Sequence, residues 1–429
     1  MLRSQTLSHL GQSLVTFTGP NPVPRGVLKP FALFSSFSTL TPALPVRASV
    51  FAYAQKSSKT SAIAAICDRL RLTAARRLAQ RVDSGTKAGK LDAMMKPASL
   101  LIASTAALFA LGGQARADGL LVVANKGDQT VGIIDPASGR QLATVAEDGV
   151  TGHELIASPD GRRVFVPIYG DSGVGKAGSD GRLLRVIDLA TRQITGTVDF
   201  GKGLRPHCAM IGPKDGLLYV TTELDQSVTI IDPATLKIVG RVPTGQEESH
   251  MLAITRDGRR GYTANVGPGT VSVLDLEARK VLAVIPVCKT TQRISLSVDD
   301  RWVFTSDQSQ PRLAVIDTAK NAIDRWIPMP GTGYGTAPTP DGKWLLVALP
   351  RARKVAVVDL RAMTVAQLLE VPPSPQEVLV RPDGAEAYVS CDASRKVAVI
   401  DTKDWTVRKL IDAGPTVDGL AWAPAASAN

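Results

Sequence analysis

From residue 118 onwards, short apolar runs alternate with polar turns, and the whole pattern recurs about every 42 residues. Each copy contains an Asp-Gly or similar turn, as at residues 158–161, and an apolar run follows it. The next run is β-branched and ends in aspartate in every copy. Apolar runs of this length between turn residues predict strands. A strand-filled repeat of this length indicates one unit copied around an axis.

The aspartates that end these runs are predicted to be turn residues rather than functional ones. A carboxylate in this place can accept a backbone N–H of the turn that follows. One aspartate occurs in each copy, so the series also shows that there are seven copies. The aspartates are Asp135, Asp188, Asp232, Asp275, Asp317, Asp359 and Asp401.

The two ends of the repeat region complete one copy between them. The run before the Asp-Gly turn is the first strand of a copy, and the run after the turn is the second. The region begins with a second strand at 120–125 and ends with a first strand at 419–422. Pairing of these strands closes the ring and leaves only short outer edges. For residues 118–429 we therefore predict an all-β fold. It is a seven-bladed β-propeller of four-stranded blades, closed by pairing of its N- and C-terminal strands.

Each copy opens on a residue at an equivalent place, which we call the ring position. Equivalent residues of a propeller face each other around the axis, so these side chains are predicted to line one mouth of the central channel. All three histidines of 118–429 occupy consecutive ring positions. The seven ring residues are His153, His207, His250, Gln292, Tyr334, Gln376 and Asp418, with the last five intervals 43, 42, 42, 42 and 42.

The three histidines form a candidate metal or haem site. Imidazole suits zinc, copper and iron, and three histidines with an open position are a recurring zinc arrangement. Glu154, Cys208 and Gln292 are candidate further ligands. The chain has no Cys-x-x-Cys-His motif, so any haem would be bound non-covalently. The alternative is that the histidines are a polar channel lining, bonded to water and carbonyl groups.

The charge of the chain lies in its N-terminal part. The formal net charge is +11, but residues 1–117 hold 15 Lys and Arg against three acidic residues. Residues 118–429 carry a net charge of −1, which gives no electrostatic reason to expect nucleic acid as a partner. Three cysteines lie in this part, so at most one disulfide can form within it.

Residues 94–117 have the three parts of a secretory signal peptide. A short basic start at 94–96 precedes an apolar run at 98–113, and 115–117 (Ala-Arg-Ala) is a small-residue cleavage site. The apolar run is too short for a comfortable membrane span, so no transmembrane segment is expected after cleavage. Residues 1–93 are interpreted as an overlong gene start or a disordered leader, with a transit peptide as the alternative.

One copy carries an insertion at 170–182. Residues 170–177 nearly match a phosphate-binding loop, but Ala177 stands where Ser or Thr should bind Mg²⁺, and no helix can start at the Gly-rich residues that follow. A nucleotide site is therefore rejected. The interval from Asp135 to Asp188 exceeds the regular period, which predicts a flexible loop lying over the channel mouth.

Several segments resemble the YVTN-repeat β-propellers. They are residues 218–221 (Leu-Tyr-Val-Thr), 264–265 (Ala-Asn), 388–391 (Tyr-Val-Ser-Cys) and the Ser-Pro-Asp-Gly turns. The resemblance covers essentially all of 118–429. The superfamily includes proteins similar to the haem propeller of nitrite reductase and the N-terminal, copper-cluster propeller of nitrous oxide reductase. The resemblance implies a fold and an exported location more than an activity.

We therefore expect a monomeric, periplasmic or secreted propeller. The first hypothesis is a module that binds a small ligand, a cofactor or a periplasmic protein partner through the mouth of its channel. The alternative is a metal- or haem-dependent oxidoreductase or related enzyme that uses the three-His site, with copper, zinc or non-covalent haem as candidate cofactors. A purely structural surface protein is a third hypothesis, and the clustered polar ring residues argue weakly against it.

Overall fold

Regular structure extends through nearly all of the residues that can be described. The computed structural model describes residues 119–426. The predicted signal sequence at 94–117 and the leader at 1–93 lie outside the described residues. The described part holds 28 β-strands and three short 3-10 helices, and none of these helices is long and apolar enough to cross a membrane.

The strands form seven antiparallel sheets of four strands each, and each sheet is one blade. Blade 1 holds β28 (Val417–Pro424), β1 (Gly119–Asn125), β2 (Thr130–Asp135) and β3 (Arg140–Ala146). Blade 2 holds β4 (Ile156–Ala157), β5 (Arg163–Gly170), β6 (Asp180–Asp188) and β7 (Gln193–Asp199). Blade 3 holds β8 (Pro206–Ile211), β9 (Leu218–Thr222), β10 (Ser227–Asp232) and β11 (Lys237–Pro243).

Blades 4 to 7 repeat this order. Blade 4 holds β12 (Ser249–Ile254), β13 (Arg260–Asn265), β14 (Thr270–Asp275) and β15 (Lys280–Pro286). Blade 5 holds β16 (Ile294–Leu296), β17 (Trp302–Asp307), β18 (Arg312–Asp317) and β19 (Ala322–Pro328). Blade 6 holds β20 (Thr336–Pro338), β21 (Trp344–Leu349), β22 (Lys354–Asp359) and β23 (Thr364–Glu370). Blade 7 holds β24 (Pro375–Val380), β25 (Glu386–Cys391), β26 (Lys396–Asp401) and β27 (Thr406–Asp412).

The first strand of each blade lies at the centre of the ring. These inner strands contact one another in the closed order β28, β4, β8, β12, β16, β20, β24 and back to β28. The ring is closed as predicted, because β1 and β28 pair in antiparallel register, with Leu121 opposite Trp422 and Val123 opposite Leu420. The all-β seven-bladed propeller predicted from the sequence is therefore confirmed.

Burial along the strands explains the apolar pattern of the sequence. The middle strands of a blade are covered on both faces by the neighbouring blades, so five of the six residues of β10 are buried. The outer strand β11 has a single buried side chain, Val242, and otherwise carries exposed or half-exposed residues. The core therefore lies between blades, as where Phe165 and Leu184 of blade 2 pack with Leu218 of blade 3.

The repeated aspartates are turn residues, as predicted. Each ends the third strand of its blade and accepts a backbone N–H two or three residues ahead. Asp135, for example, accepts from the N–H of Ala137 at 3.1 Å. This local bond satisfies the backbone where the chain turns into the outer strand.

The three 3-10 helices all lie between the second and third strands of a blade. They are Glu223–Asp225 in blade 3, Pro350–Ala352 in blade 6 and Asp392–Ser394 in blade 7. Each is followed by a residue in the left-handed backbone region, as at Gln226. These tight connections lie at the face of the ring where the inner strands begin.

Candidate functional site

The ring positions lie at the same face of the propeller as the connections between second and third strands. Pairing of β8 with β9 places Pro206 opposite Thr222, the last residue before the connection. The same holds for Ser249 opposite Asn265 in blade 4. The start of each inner strand and this connection therefore meet at one mouth of the channel.

The three histidines lie together at this mouth. The rings of His207 and His250 stack with centroids 3.5 Å apart and planes inclined by 31°. His153 meets His207 edge-on, with centroids 5.4 Å apart. Tyr169, at the end of β5, contacts all three, with centroid distances of 4.6, 5.2 and 5.9 Å to His153, His207 and His250. We call His153, His207 and His250 the histidine trio.

His207 is the unusual member of the histidine trio. Its side chain is only 1 % exposed, and neither ring nitrogen has a hydrogen-bond partner. Burial, followed by the neighbouring His250 and His153, holds the pKa of His207 well below its usual range, so the ring is neutral. A neutral imidazole carries a free lone pair, which is the form that binds a metal centre. Burial and the Lys126 charge likewise lower the pKa of His153 to about 3.

His250, in contrast, is fully partnered. Its Nδ1 donates to Oε1 of Glu223, and the Nε2 of Gln292 lies 2.8 Å from its Nε2. Since Glu223 also accepts from the hydroxyl of Tyr169 at 2.8 Å, its carboxylate fixes the tautomer and the orientation of His250. Gln292 in turn accepts from the amide of Gln308 at 3.2 Å. A hydrogen-bonded chain thus runs from Tyr169 to Gln308 across blades 2 to 5.

A cluster of charges lies beside the histidine trio. Arg293 of blade 5, with its side chain 4 % exposed, crosses the axis to Glu154 of blade 2 at 2.5 Å. Its guanidinium also lies 2.9 Å from Asp418 of blade 1 and 3.4 Å from Glu377 of blade 7. The Nζ of Lys126 lies 2.9 Å from the other oxygen of Asp418. We call these five residues the axial charge cluster.

The carboxyls of the axial charge cluster differ in the direction in which their pKa values are shifted. Burial raises the pKa of Glu154 well above its usual range, and it also raises that of Glu377. Burial acts in the same direction at Asp418, but Lys126 and Arg293 outweigh it and lower the pKa of Asp418 to about 2. Asp418 therefore stays ionised, whereas burial favours the protonated form of both Glu154 and Glu377.

Three of the other four predicted ring residues join one of these two groups. Gln292 joins the histidine trio through His250. Asp418 belongs to the axial charge cluster, and Arg293 lies over the ring of Tyr334 with its Cζ 5.0 Å from the centroid. The amide of Gln376 turns back to Ser374 of its own blade at 3.0 Å and joins neither group.

The candidate further ligands have other partners. Glu154 pairs with Arg293, and the Sγ of Cys208 points to the carbonyl of Leu252 at 3.7 Å. Burial raises the pKa of the Cys208 thiol to about 12, so it stays protonated. Within residues 119–426, all three cysteines are free and no group of three or more His, Cys, Asp or Glu side chains is arranged to hold a metal ion. The three-His metal site stays a prediction.

Arg293, Glu377 and Lys126 are site residues that the sequence reasoning missed. Arg293 and Glu377 immediately follow the ring positions Gln292 and Gln376. In most other copies the residue after the ring position is small or apolar. A charged residue there is therefore a signal that could have identified Arg293 and Glu377. Nothing in the sequence indicates that Arg293 reaches across the axis.

Comparison with protein families gives one match. The family described as the Cytochrome D1 heme domain matches residues 211–334, which span blade 3 without most of its inner strand, all of blades 4 and 5, and the connection towards blade 6. This segment includes His250, Gln292 and Arg293. No curated protein is detectably similar to the chain in sequence.

Several solved structures share the fold. Hydrazine synthase of Kuenenia stuttgartiensis has a TM-score of 0.57 at 19% identity, over 67% of this chain and 93% of that chain. A functionally unknown protein of Desulfotomaculum acetoxidans DSM 771 has a TM-score of 0.60 at 13% identity, over 71% and 99%. The dihydro-heme d1 dehydrogenase NirN, solved in complex with DHE, has a TM-score of 0.53 at 17% identity, over 72% and 76%.

At these identities the solved structures establish a common fold and no shared activity. The family match adds a sequence signal from the segment that carries part of the mouth. Together they confirm the resemblance predicted from the sequence, that of a seven-bladed propeller similar to the haem-binding propeller of nitrite reductases.

Proposed function

We propose that this protein binds a haem-type tetrapyrrole, non-covalently, at the mouth of its channel. The observation that carries the proposal is His207, a neutral and buried imidazole with two unpartnered nitrogens. A buried polar group without a partner costs about 1–3 kcal/mol, so its retention needs a reason. Imidazole is a common axial ligand of haem iron, and an incoming iron would satisfy one of these nitrogens.

The residues around His207 suit such a ligand. Tyr169 and the other members of the histidine trio present aromatic faces against which a flat macrocycle can pack. Glu223 holds His250 in a defined orientation against His207, the residue that would hold the iron. When bound, the iron of such a group supplies electron-transfer or ligand-activation chemistry.

Likeness to known proteins supports the same proposal. The matching family is described as a haem domain, and one of the solved structures of the same fold holds DHE. Copper or zinc on the histidine trio has no comparable support. The proposal also includes a periplasmic location and a monomeric state. The predicted signal sequence at 94–117 supports the periplasmic location.

The test is an absorption titration of the purified protein with ferric protoporphyrin. The wild-type chain is expected to form a saturable complex with the spectrum of histidine-ligated iron. His207→Ala should weaken binding at least about tenfold, equivalent to 1.4 kcal/mol, and lose that spectrum. Gln376→Ala is the matched control, since Gln376 is a ring residue turned towards its own blade.

Two results would count against the proposal. One is a wild-type protein that shows no saturable change with the porphyrin. The other is a His207→Ala variant that remains folded and gives the wild-type affinity and spectrum. Circular dichroism of both variants checks that the propeller is intact.

A further inference from the structure

The insertion of blade 2 is the one irregular connection among the seven blades described. It comprises residues 171–179, between β5 and β6, and we call it the strap. In the other six blades the same connection has only four residues. These connections are 126–129, 223–226, 266–269, 308–311, 350–353 and 392–395. The strap is therefore a feature of one blade and not a requirement of the fold.

One side chain fastens the strap to the ring. Arg205 lies in the connection that leads into blade 3 and is 6 % exposed. Its Nε donates to Asp180 at 2.6 Å, and its two terminal nitrogens donate to the carbonyls of Lys176 at 2.7 Å and Gly173 at 3.4 Å. Charge-assisted bonds of this kind are stronger than neutral ones.

The tip of the strap reaches further, towards blade 4. A Cβ placed on Gly175 would lie only 2.4 Å from Oε1 of Glu248, so the tip is in close contact with this side chain. Glu248 immediately precedes the first strand of blade 4. The strap thus starts in blade 2, crosses the entry to blade 3 at Arg205 and ends against the entry to blade 4. Blades 2, 3 and 4 are the ones that carry the histidine trio.

Tyr169 connects the strap with the histidine trio. It lies two residues before the strap, its ring contacts all three histidines, and Arg205 lies 5.9 Å from the ring centroid. Beside it is a cavity of about 380 Å³, lined by Gly175 and Lys176 of the strap and by Glu223, among others. Because Glu223 also bonds His250 and Tyr169, one side chain separates the cavity from the histidine trio.

We propose that the strap is a lid over the histidine trio and that Arg205 is its latch. This inference rests on the proposed tetrapyrrole site. A ligand cannot reach His207 while the side chain is 1 % exposed, so the closed state must open before binding. Opening of the lid requires the loss of the Arg205 contacts to the carbonyls of Gly173 and Lys176.

Two variants test the lid. Arg205→Ala removes the latch, and replacement of 171–179 by the four residues 266–269 removes the strap. Arg182→Ala is the control, because it breaks only an exposed ion pair with Asp199 in the same blade. The association rate of ferric protoporphyrin, followed by stopped-flow absorption, should rise about tenfold in both variants, as expected when closed-state contacts of this strength are lost. The control should keep the wild-type rate.

A second readout needs no tetrapyrrole. Diethyl pyrocarbonate reacts with accessible imidazole nitrogens, and the rate of modification at His207 can be followed by mass spectrometry. We expect a rise of about tenfold in either folded variant, for the same reason. A wild-type modification rate in every folded variant overturns the lid. If the wild-type protein binds no porphyrin but the variants expose His207, the tetrapyrrole proposal fails and the lid stands.

Discussion

At the scale of single residues, two buried polar side chains, His207 and Glu147, bear on ligand binding and on stability. Both are buried and both have a polar atom without a partner. For His207 the absent partner suits a ligand, because the ring lies at the mouth among other aromatic rings. Glu147 lies in the connection before His153, where one oxygen accepts from the N–H of Gly152 at 2.6 Å and the other has no partner. The buried carboxyl of Glu147 is therefore expected to affect the folding stability of the protein.

Glu147 should make the protein less stable as the pH rises. Burial raises the pKa of Glu147 to about 7 from the usual 4.5 of glutamate. Between these values the folded state keeps a proton that the unfolded state has lost, so folding stability falls as pH rises from about 4.5 to 7. Glu147→Gln removes this loss. Its stability relative to wild type should improve by about 3 kcal/mol between pH 5 and pH 8.

Urea denaturation at several pH values measures this difference. Glu247→Gln, which removes an exposed carboxylate, serves as the control. Parallel stability curves for Glu147→Gln and the wild type across this pH range would show that the carboxyl of Glu147 is not destabilised by its burial.

Arg293 is predicted to hold the axial charge cluster together. Arg293→Met leaves Glu154 buried without its ion-pair partner and leaves Asp418 with Lys126 alone, and breaking a buried pair costs about 3–5 kcal/mol. The cost should be smaller at pH 5 than at pH 8, because the carboxyls then take up protons more readily. Urea denaturation at the two pH values tests both statements.

Arg301→Met provides the comparison for this variant. Arg301 is exposed on the same blade and stacks on Trp302, so its loss should change the stability by less than about 0.5 kcal/mol. An Arg293→Met protein as stable as Arg301→Met would mean that the cluster does not contribute to holding the blades together.

The sequence predicted the residues of the site better than their contacts. The spacing of His153, His207 and His250 predicted that they share one address, and the structure brings them together. The same reasoning treated Gln376 as equivalent, but its amide turns to Ser374. Periodicity fixes where a backbone position lies, whereas the rotamer depends on local partners. For this reason the reach of Arg293 across the axis could not be predicted either.

At the scale of elements, β28 is the strand on which closure of the ring depends. It supplies the inner strand of blade 1, pairs with β1 and contacts the inner strands on both sides. Val417, Leu420 and Ala421 are buried there. Pairing of the terminal strands was predictable because the repeat starts with a second strand and ends with a first. The sequence predicted a loop over the channel mouth at 170–182, but it did not indicate the contacts of this loop with Arg205 and Glu248.

A chain that ends after Thr416 should fail to unfold cooperatively. Each buried aliphatic side chain contributes about 1.5–3 kcal/mol. Loss of several of them, with the ladder to β1, removes much of a total stability of about 5–15 kcal/mol. A chain that ends after Ala426 keeps all of β28 and should unfold as the full chain does. Thermal unfolding by circular dichroism compares the two, and equal cooperative transitions would contradict this role of β28.

At the scale of the whole molecule, the propeller has two unlike halves at its mouth. Blades 2 to 4 carry the histidine trio, the strap and the adjacent cavity, whereas Arg293 joins blade 5 to blades 7, 1 and 2 through the axial charge cluster. The charge cluster lies next to the histidine trio on the side of blades 5, 7 and 1, and the strap lies on the side of blades 2 to 4. The sequence repeat predicted the propeller fold. It did not predict the asymmetry of the mouth, because that depends on particular residues in each copy.

A tetrapyrrole held at the mouth through His207 should be visible in a crystal structure of the wild-type protein with ferric protoporphyrin. We expect iron within bonding distance of an imidazole nitrogen of His207, with the strap displaced from its contacts with Arg205. A porphyrin bound elsewhere on the propeller, or a His207 still stacked on His250 with both nitrogens unpartnered, would contradict it.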